Sequence, residues 1–211
     1  MRATTLVLVR HGETSWNVQG RIQGHTDVAL NRLGLAQAEA LGNRLACERF
    51  DAVYSSDLVR AYHTARRAVP DPERTIIKDR RLRERHFGVL QGLTGEEAMT
   101  GQPAAWKAFK SRDPDLELAG GEKLGDFSRR IVGFVEAILE THAGERVLVV
   151  THGGVLDALY RHALGMPLSV SRNFPIYNAS VNILSHDEQS WRIDAWGDVA
   201  HLPQEVAMDD T

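Results

Sequence analysis

The sequence predicts an α/β fold, a three-layer α/β/α sandwich around a mostly parallel mixed sheet with an antiparallel edge strand, and three observations lead to it. Short apolar, β-branched runs alternate with longer stretches of helical periodicity, the order that parallel strands joined by crossover helices produce. Two of the runs, residues 4–9 and 147–150, are continuous rather than alternating, as strands covered on both faces are. The last two apolar segments, 179–185 and 191–196, lie close enough to pair as a hairpin, which supplies the antiparallel edge.

Taken in order, the first run ends at Arg10-His11-Gly12, a charged pair and a glycine that mark where a strand leaves the core. A polar, glycine-containing loop follows over residues 13–30. Asn31 suits a helix cap, and Leu33, Ala36, Ala40, Leu41 and Leu45 recur at helical spacing as far as Ala46. Residues 51–56 read as a short strand, with Ser56 or Asp57 expected to cap a helix over 58–69 that Pro70-Asp71-Pro72 breaks. A third strand is expected at 75–78, followed by a basic loop over 80–88. Between 93 and 121, Gly101, Pro103 and Pro114 separate short helical pieces anchored by Trp106 and Phe109. This stretch is expected to be a helical insertion over the active site, within a single domain spanning 1–211. A long helix over 122–142 carries Phe127, Ile131, Phe134, Val135 and Ile138 on one face. The next strand repeats the first unit and ends at Thr151-His152-Gly153-Gly154; a helix over 155–164 stops at Gly165 and Pro167. The terminal hairpin is expected to turn around Asp187-Glu188-Gln189.

Composition narrows the function classes. At 211 residues the chain can bury one sizeable core, and 43% hydrophobic with 25% charged residues is ordinary for a globular protein. A formal net charge of -3 argues against nucleic acid as a partner, since phosphate-backbone binders carry a basic excess. The single cysteine, Cys47, cannot form an internal disulfide. No run approaches a membrane span, and Arg10 interrupts the first apolar stretch, so a cytoplasmic location is expected. No metal-ligand spacing is evident, and no metal site is expected.

Arg10, His11, Arg60, Glu84 and His152 all leave strands or open helices toward the carboxyl edge of the expected sheet, where α/β proteins bind ligands. Arg60 lies near a helix start, whose free amides and dipole favour an anion. Two arginines, two imidazoles and two helix starts describe a pocket for a tetrahedral oxyanion, and phosphate fits best. A neutral imidazole attacks phosphorus and holds the phosphoryl group covalently, while arginines neutralise the equatorial oxygens. Nearby cations keep that imidazole unprotonated. A leaving alkoxide needs a proton, and Glu84 is the carboxylate embedded in the basic loop. Glu13 is the rival acid, read instead as orienting a pocket group such as a histidine ring.

These residues sit in an ordered series: Arg10-His11-Gly12-Glu13-Thr14 with Trp16-Asn17; Ser55-Ser56-Asp57-Leu58-Val59-Arg60-Ala61 with Thr64-Ala65; Leu82-Arg83-Glu84 with Phe87-Gly88; and Thr151-His152-Gly153. The series resembles the successive motifs of the histidine phosphatase superfamily, in the branch holding cofactor-dependent phosphoglycerate mutases and broad-specificity phosphatases. The resemblance implies that His11 is the phosphorylated nucleophile and Glu84 the proton donor and acceptor, with Arg10, Arg60 and His152 completing the phosphate pocket. It also implies substrate contacts from Asn17, Gln23, Gly24, Arg85, His86, Phe87 and Gly153. Gly95 stands where the mutases carry a substrate-binding lysine, and Lys107, Lys110 and Arg112 are scattered where they have paired arginines. The ending Trp196-Gly197-Asp198-Val199-Ala200-His201-Leu202 also resembles the phosphatase branch.

The expected activity is therefore a metal-independent phosphomonoesterase acting on small phosphorylated metabolites. The alternatives are a phosphoglycerate mutase, which alone would need 2,3-bisphosphoglycerate as cofactor, and a non-catalytic phosphate-binding module. Monomer and homodimer are both open. His25, His63, His142, His162 and His186 are read as loop or helix surface and His201 as structural, with Trp106 and Phe109 as packing of the insertion.

Overall fold

The computed structural model describes residues 2–187 and 189–203. Among these, six strands form one sheet: β1 (Thr4–Arg10), β2 (Ala52–Ser55), β3 (Ile77–Lys78), β4 (Arg146–Thr151), β5 (Val181–His186) and β6 (Trp191–Asp198). The helices are α1 (Ser15–Val18), α2 (Arg32–Leu45), α3 (Val59–Ala68), α4 (Gly95–Gly101), α5 (Pro103–Ser111), α6 (Leu124–Thr141) and α7 (Gly153–Leu164).

Side-chain alternation along the central strands separates the layers. Leu6 and Leu8 of β1, with Val147 and Val149 of β4, pack against Phe127, Ile131, Phe134, Val135 and Ile138 of α6 and against Leu156 and Leu159 of α7. Val7, Val9, Leu148 and Val150 face the other way, onto Leu41 and Leu45 of α2 and Ala61, Ala65 and Ala68 of α3. Both faces of β1 and β4 are thus covered, which is why their sequences are continuously apolar. A third cluster, formed by Leu90, Ala98, Ala105 and Leu118 with Phe87, Trp106 and Phe109 against it, organises the segment that contains α4 and α5.

Strand order is β3-β2-β4-β1-β5-β6. The pairs β1–β4, β2–β4 and β2–β3 are parallel, while β5 runs antiparallel to both β1 and β6. The antiparallel strand expected at the edge is therefore β5, one place in, with β6 outside it. Register sets up the site. Arg10 pairs with Thr151, so His11 and His152 are each the first residue beyond neighbouring parallel strands. The ladder continues one step as His11 N donates to Thr151 O at 2.9 Å, and Ser56 N donates to Val150 O at 3.0 Å from the end of β2.

Several expected boundaries move for local reasons. The loop over 13–30 contains α1, which Thr14 and Asn17 close as a reciprocal capping box. The strand at 75–78 shrinks to Ile77–Lys78, both exposed at the sheet edge. Neither Ser56 nor Asp57 caps α3: Leu58 occupies the cap position, and Asp27 Oδ1, 32 residues earlier, accepts from Val59 N at 2.7 Å. Asp57 is engaged elsewhere, accepting from Arg83 Nε and Nη2 at 2.7 Å each. Glu188, at the expected hairpin turn, lies outside the described residues.

Candidate active site

The two strand-end histidines are brought side by side. Their ring centroids are 5.1 Å apart, and both side chains are buried, His11 at 3% and His152 at 0% exposure. His11 Nδ1 is 2.8 Å from the Gly12 carbonyl, which fixes its proton on Nδ1 and leaves Nε2 as the nitrogen with a lone pair. Burial, then Arg60 and Arg10, hold the His11 imidazole well below the ordinary histidine range; His152 is lowered by burial, then Arg60, His11 and Arg10. Both rings are therefore neutral at neutral pH.

The guanidinium groups are fixed by backbone carbonyls. Arg10 Nη1 donates to Ile176 O at 2.9 Å. Arg60, 1% exposed, donates from Nη1 to Thr26 O at 2.9 Å and from Nη2 to Gly24 O at 2.7 Å. Burial pushes Arg60 down to about 10, so it stays charged at neutral pH. The 24–27 segment thus holds Arg60 and caps its helix at once. Behind β1, Asn178 Nδ2 donates to His11 O at 2.9 Å, and Ala179 N donates to Arg10 O and His11 O at 3.1 and 3.2 Å. Ala179 does so from a left-handed backbone conformation at φ 53°, one that few non-glycine residues adopt.

Glu84 reaches the same place from the basic loop. Its Oε1 accepts from Arg85 N at 2.8 Å and its Oε2 from Gly154 N at 2.9 Å, in the first turn of α7. A Cβ on residue 154 would lie 2.1 Å from Glu84 Oε1, so glycine there is what admits the carboxylate. Arg130 of α6 gathers the loop, donating to Arg81 O, Arg83 O and Glu84 O at 2.5, 3.0 and 3.3 Å while Glu122 takes its Nε and Nη2 at 2.8 Å each.

A cavity of about 440 Å³ opens over these groups, lined by Arg10, His11, Arg60 and Glu84. Of the expected substrate contacts, Asn17, Gln23, Gly24, Arg85, Phe87 and Gly153 also line it. His152 sits beside His11 in the protein interior. His86 is used in the wall instead: its Nδ1 accepts from Gly88 N at 3.1 Å, and its ring meets that of His25 at 4.8 Å. His25 is correspondingly more than loop surface, with Nε2 2.8 Å from Glu84 O. Glu13 does not orient a histidine; its Oε1 accepts from Asn31 Nδ2 at 2.7 Å, at the start of α2.

The cavity is also lined by residues that no motif marked. Lys110, Arg112, Asp157 and Arg172 line it, with Arg21 and Phe109. Arg112 is positioned by Asp157 Oδ2 at 2.6 Å and Leu168 O at 2.9 Å. Of the cations scattered through 107–112 in sequence, Lys110 and Arg112 line the pocket and Lys107 does not. The partner carboxylate lies 45 residues away, so no local spacing announces it.

Two buried imidazoles, two buried guanidiniums and a carboxylate at the carboxyl edge of the parallel strands make an arrangement that suits a tetrahedral oxyanion beside a neutral imidazole. Residues 6–199 match the family model of the histidine phosphatase superfamily (branch 1), and the chain belongs to that superfamily. It is 47% identical over 204 residues to a metal-independent phosphoserine phosphatase of Arabidopsis thaliana, covering 94% of this chain and 83% of the relative. It is 44% identical over 203 residues to phosphoglycerate mutase-like protein 4 of the same plant, covering 94% and 87%. Among solved structures, Bacillus stearothermophilus YhfR superposes with a TM-score of 0.87 at 37% identity, covering 94% of this chain and 99% of that one.

Proposed function

We propose that this chain hydrolyses small phosphomonoesters without a metal ion, through a phosphohistidine on His11. The observation that carries the reading is a neutral His11 ring, its proton tied to Gly12 O, set among Arg10, Arg60 and Glu84 around one cavity. In the first step the Nε2 lone pair attacks phosphorus and the ester P–O bond breaks. Arg10, Arg60 and His152 hold the phosphoryl oxygens, and Glu84 in its acid form gives its proton to the departing alkoxide. In the second step Glu84 takes a proton from water as the water oxygen attacks phosphorus. The P–N bond breaks, and His11 returns to its neutral form as phosphate leaves.

Phosphoserine-type esters, with a carboxylate on the leaving group, are the substrate class we favour. Arg85, Lys110 and Arg112 supply further positive charge on the cavity wall, and the relative at 47% identity is a phosphoserine phosphatase. These cations would also suit a phosphoglycerate. A mutase is nonetheless less favoured, since Gly95 opens α4 with the Trp106 ring 3.3 Å from where a Cβ would sit. The test is phosphate release from phosphoserine and from an aryl phosphate in the presence of chelator. Activity with an acid-labile phosphoryl group on His11 is expected, abolished in His11→Ala. Undiminished turnover in that variant would overturn the mechanism. Faster interconversion of 2- and 3-phosphoglycerate than phosphate release would replace hydrolysis with the mutase reading.

A further inference from the structure

We infer that Ser56 is a positioning residue that places the single proton of neutral His152 on Nδ1, so that the ring presents an N–H to the phosphoryl oxygens. The inference goes beyond the proposed hydrolysis and rests on it only in taking the oxyanion as the partner of His152.

The observations form a proton inventory. Ser56 and His152 are both 0% exposed, and Ser56 Oγ lies 2.8 Å from His152 Nε2. Either Nε2–H donates to the hydroxyl, or the hydroxyl donates to Nε2. The surroundings of Oγ decide between them. Leu58 N already donates to it at 3.3 Å, so Oγ has one incoming N–H. If His152 donated as well, the hydroxyl proton of Ser56 would point into the interior with no acceptor among the described residues. A buried donor without a partner costs about 1–3 kcal/mol. If Ser56 donates, Leu58 N–H pairs with Oγ and Oγ–H with Nε2, and the one open donor moves to Nδ1, where a bound oxyanion can accept from it.

The second half of the inventory lies across the ring. His152 Nδ1 is buried and has no hydrogen-bond partner among the described residues. With Nε2 accepting, the proton is on Nδ1. An N–H at this interior position, whose charged neighbours are Arg60 and Arg10, suits the anion those residues bind, whereas a bare lone pair there would repel it. Burial and the neighbouring guanidiniums keep the ring from taking a second proton, so a single tautomer must serve. Ser56 itself is held by sheet register, its N–H bonded to Val150 O at 3.0 Å. The hydroxyl and the ring that it orients therefore come from the ends of adjacent parallel strands.

The decisive experiment is imidazole ¹H–¹⁵N correlation NMR on the full chain labelled at histidine, with His152 assigned by its absence in His152→Asn. Nδ1 is expected as the protonated nitrogen and Nε2 as the unprotonated one. The reverse pattern in the unaltered protein overturns the inference, and this readout needs no variant to fold. In Ser56→Ala the Nδ1–H population should fall. Affinity for orthovanadate and kcat for an aryl phosphate should each fall, kcat by up to about 100-fold, as when a positioning contact is lost. KM should move less than kcat. Unchanged tautomer ratio and vanadate affinity in a folded Ser56→Ala variant also overturn it. Failure of hydrolysis altogether, with Nδ1–H intact and vanadate bound, would count against the proposed activity and leave this assignment standing.

Discussion

Glu84 has both carboxylate oxygens engaged by backbone N–H groups, from Arg85 at 2.8 Å and Gly154 at 2.9 Å, whereas His11 is oriented by the carbonyl of its own next residue. His11 is thus set locally, and Glu84 by one neighbouring N–H and one from the distant first turn of α7. Replacing Glu84 with glutamine keeps the shape but removes the transferable proton. Glu84→Gln is expected to lower kcat on phosphoserine about 10²–10⁴-fold, the usual worth of general acid–base catalysis. An aryl phosphate, whose leaving group needs less protonation, should lose much less. A series of esters of graded leaving-group pKa checks this, and equal losses across it would remove Glu84 from the acid role. Legibility in the sequence follows the same division. His11 is readable from the residues beside it, Arg10 and Gly12. Glu84 is readable only as the lone acid of a basic loop, because its contact with Gly154 spans 70 positions. Arg112 and Asp157 carry no local mark at all, and Glu13 misleads because this acid close to His11 in sequence is in fact tied to Asn31.

At the scale of elements, close backbone approach decides where the site residues sit. A Cβ on Gly12 would lie 2.4 Å from Gly34 O, and one on Gly34 would lie 2.0 Å from Glu13 O, so α2 docks directly on the chain leaving β1. Gly34→Ala is expected to destabilise the protein by about 1–3 kcal/mol through overpacking and to weaken vanadate binding by displacing the loop after His11. Urea unfolding and vanadate titration measure the two effects. Arg130 makes a corresponding contact on the other side of the sheet, joining α6 to three carbonyls of the acid's loop. In Arg130→Met the aliphatic bulk remains but those carbonyls and Glu122 lose the guanidinium that joins them. We expect kcat to fall about 10–100-fold, with the greater loss on esters whose leaving groups need protonation. An equal loss on aryl phosphates would show that the clamp does not act through Glu84. The strands and helices themselves were legible from periodicity, since β1, β4 and α6 bury continuous or one-sided apolar patterns. The cap of α3 was not, because Asp27 reaches it from a loop whose course only the tertiary structure sets.

For the whole molecule, burying two imidazoles between two guanidiniums ties stability to pH. The folded-state pKa values of His11 and His152 are both well below the ordinary value, while in the unfolded chain each titrates near 6.5. Above about pH 6.5 both states carry neutral rings and stability is full. As pH falls below that, the unfolded chain takes up protons at these positions that the folded chain does not, so stability drops. His25 and His201, also lowered by burial, add to the loss in the same direction. The paired carboxylates Asp57, Asp79 and Glu122 are lowered as well, and their share is lost at more acid pH, as the medium passes below the ordinary carboxylate range. The histidine window therefore lies apart from the carboxylate one. Urea midpoints measured from pH 7.5 down to 5 should decline steadily with an unchanged m value, and the decline should be shallower in His11→Gln, which has one fewer buried imidazole. A midpoint that rises toward pH 5 would mean that the rings are protonated in the folded state, against the effect of burial and of the neighbouring guanidiniums on both.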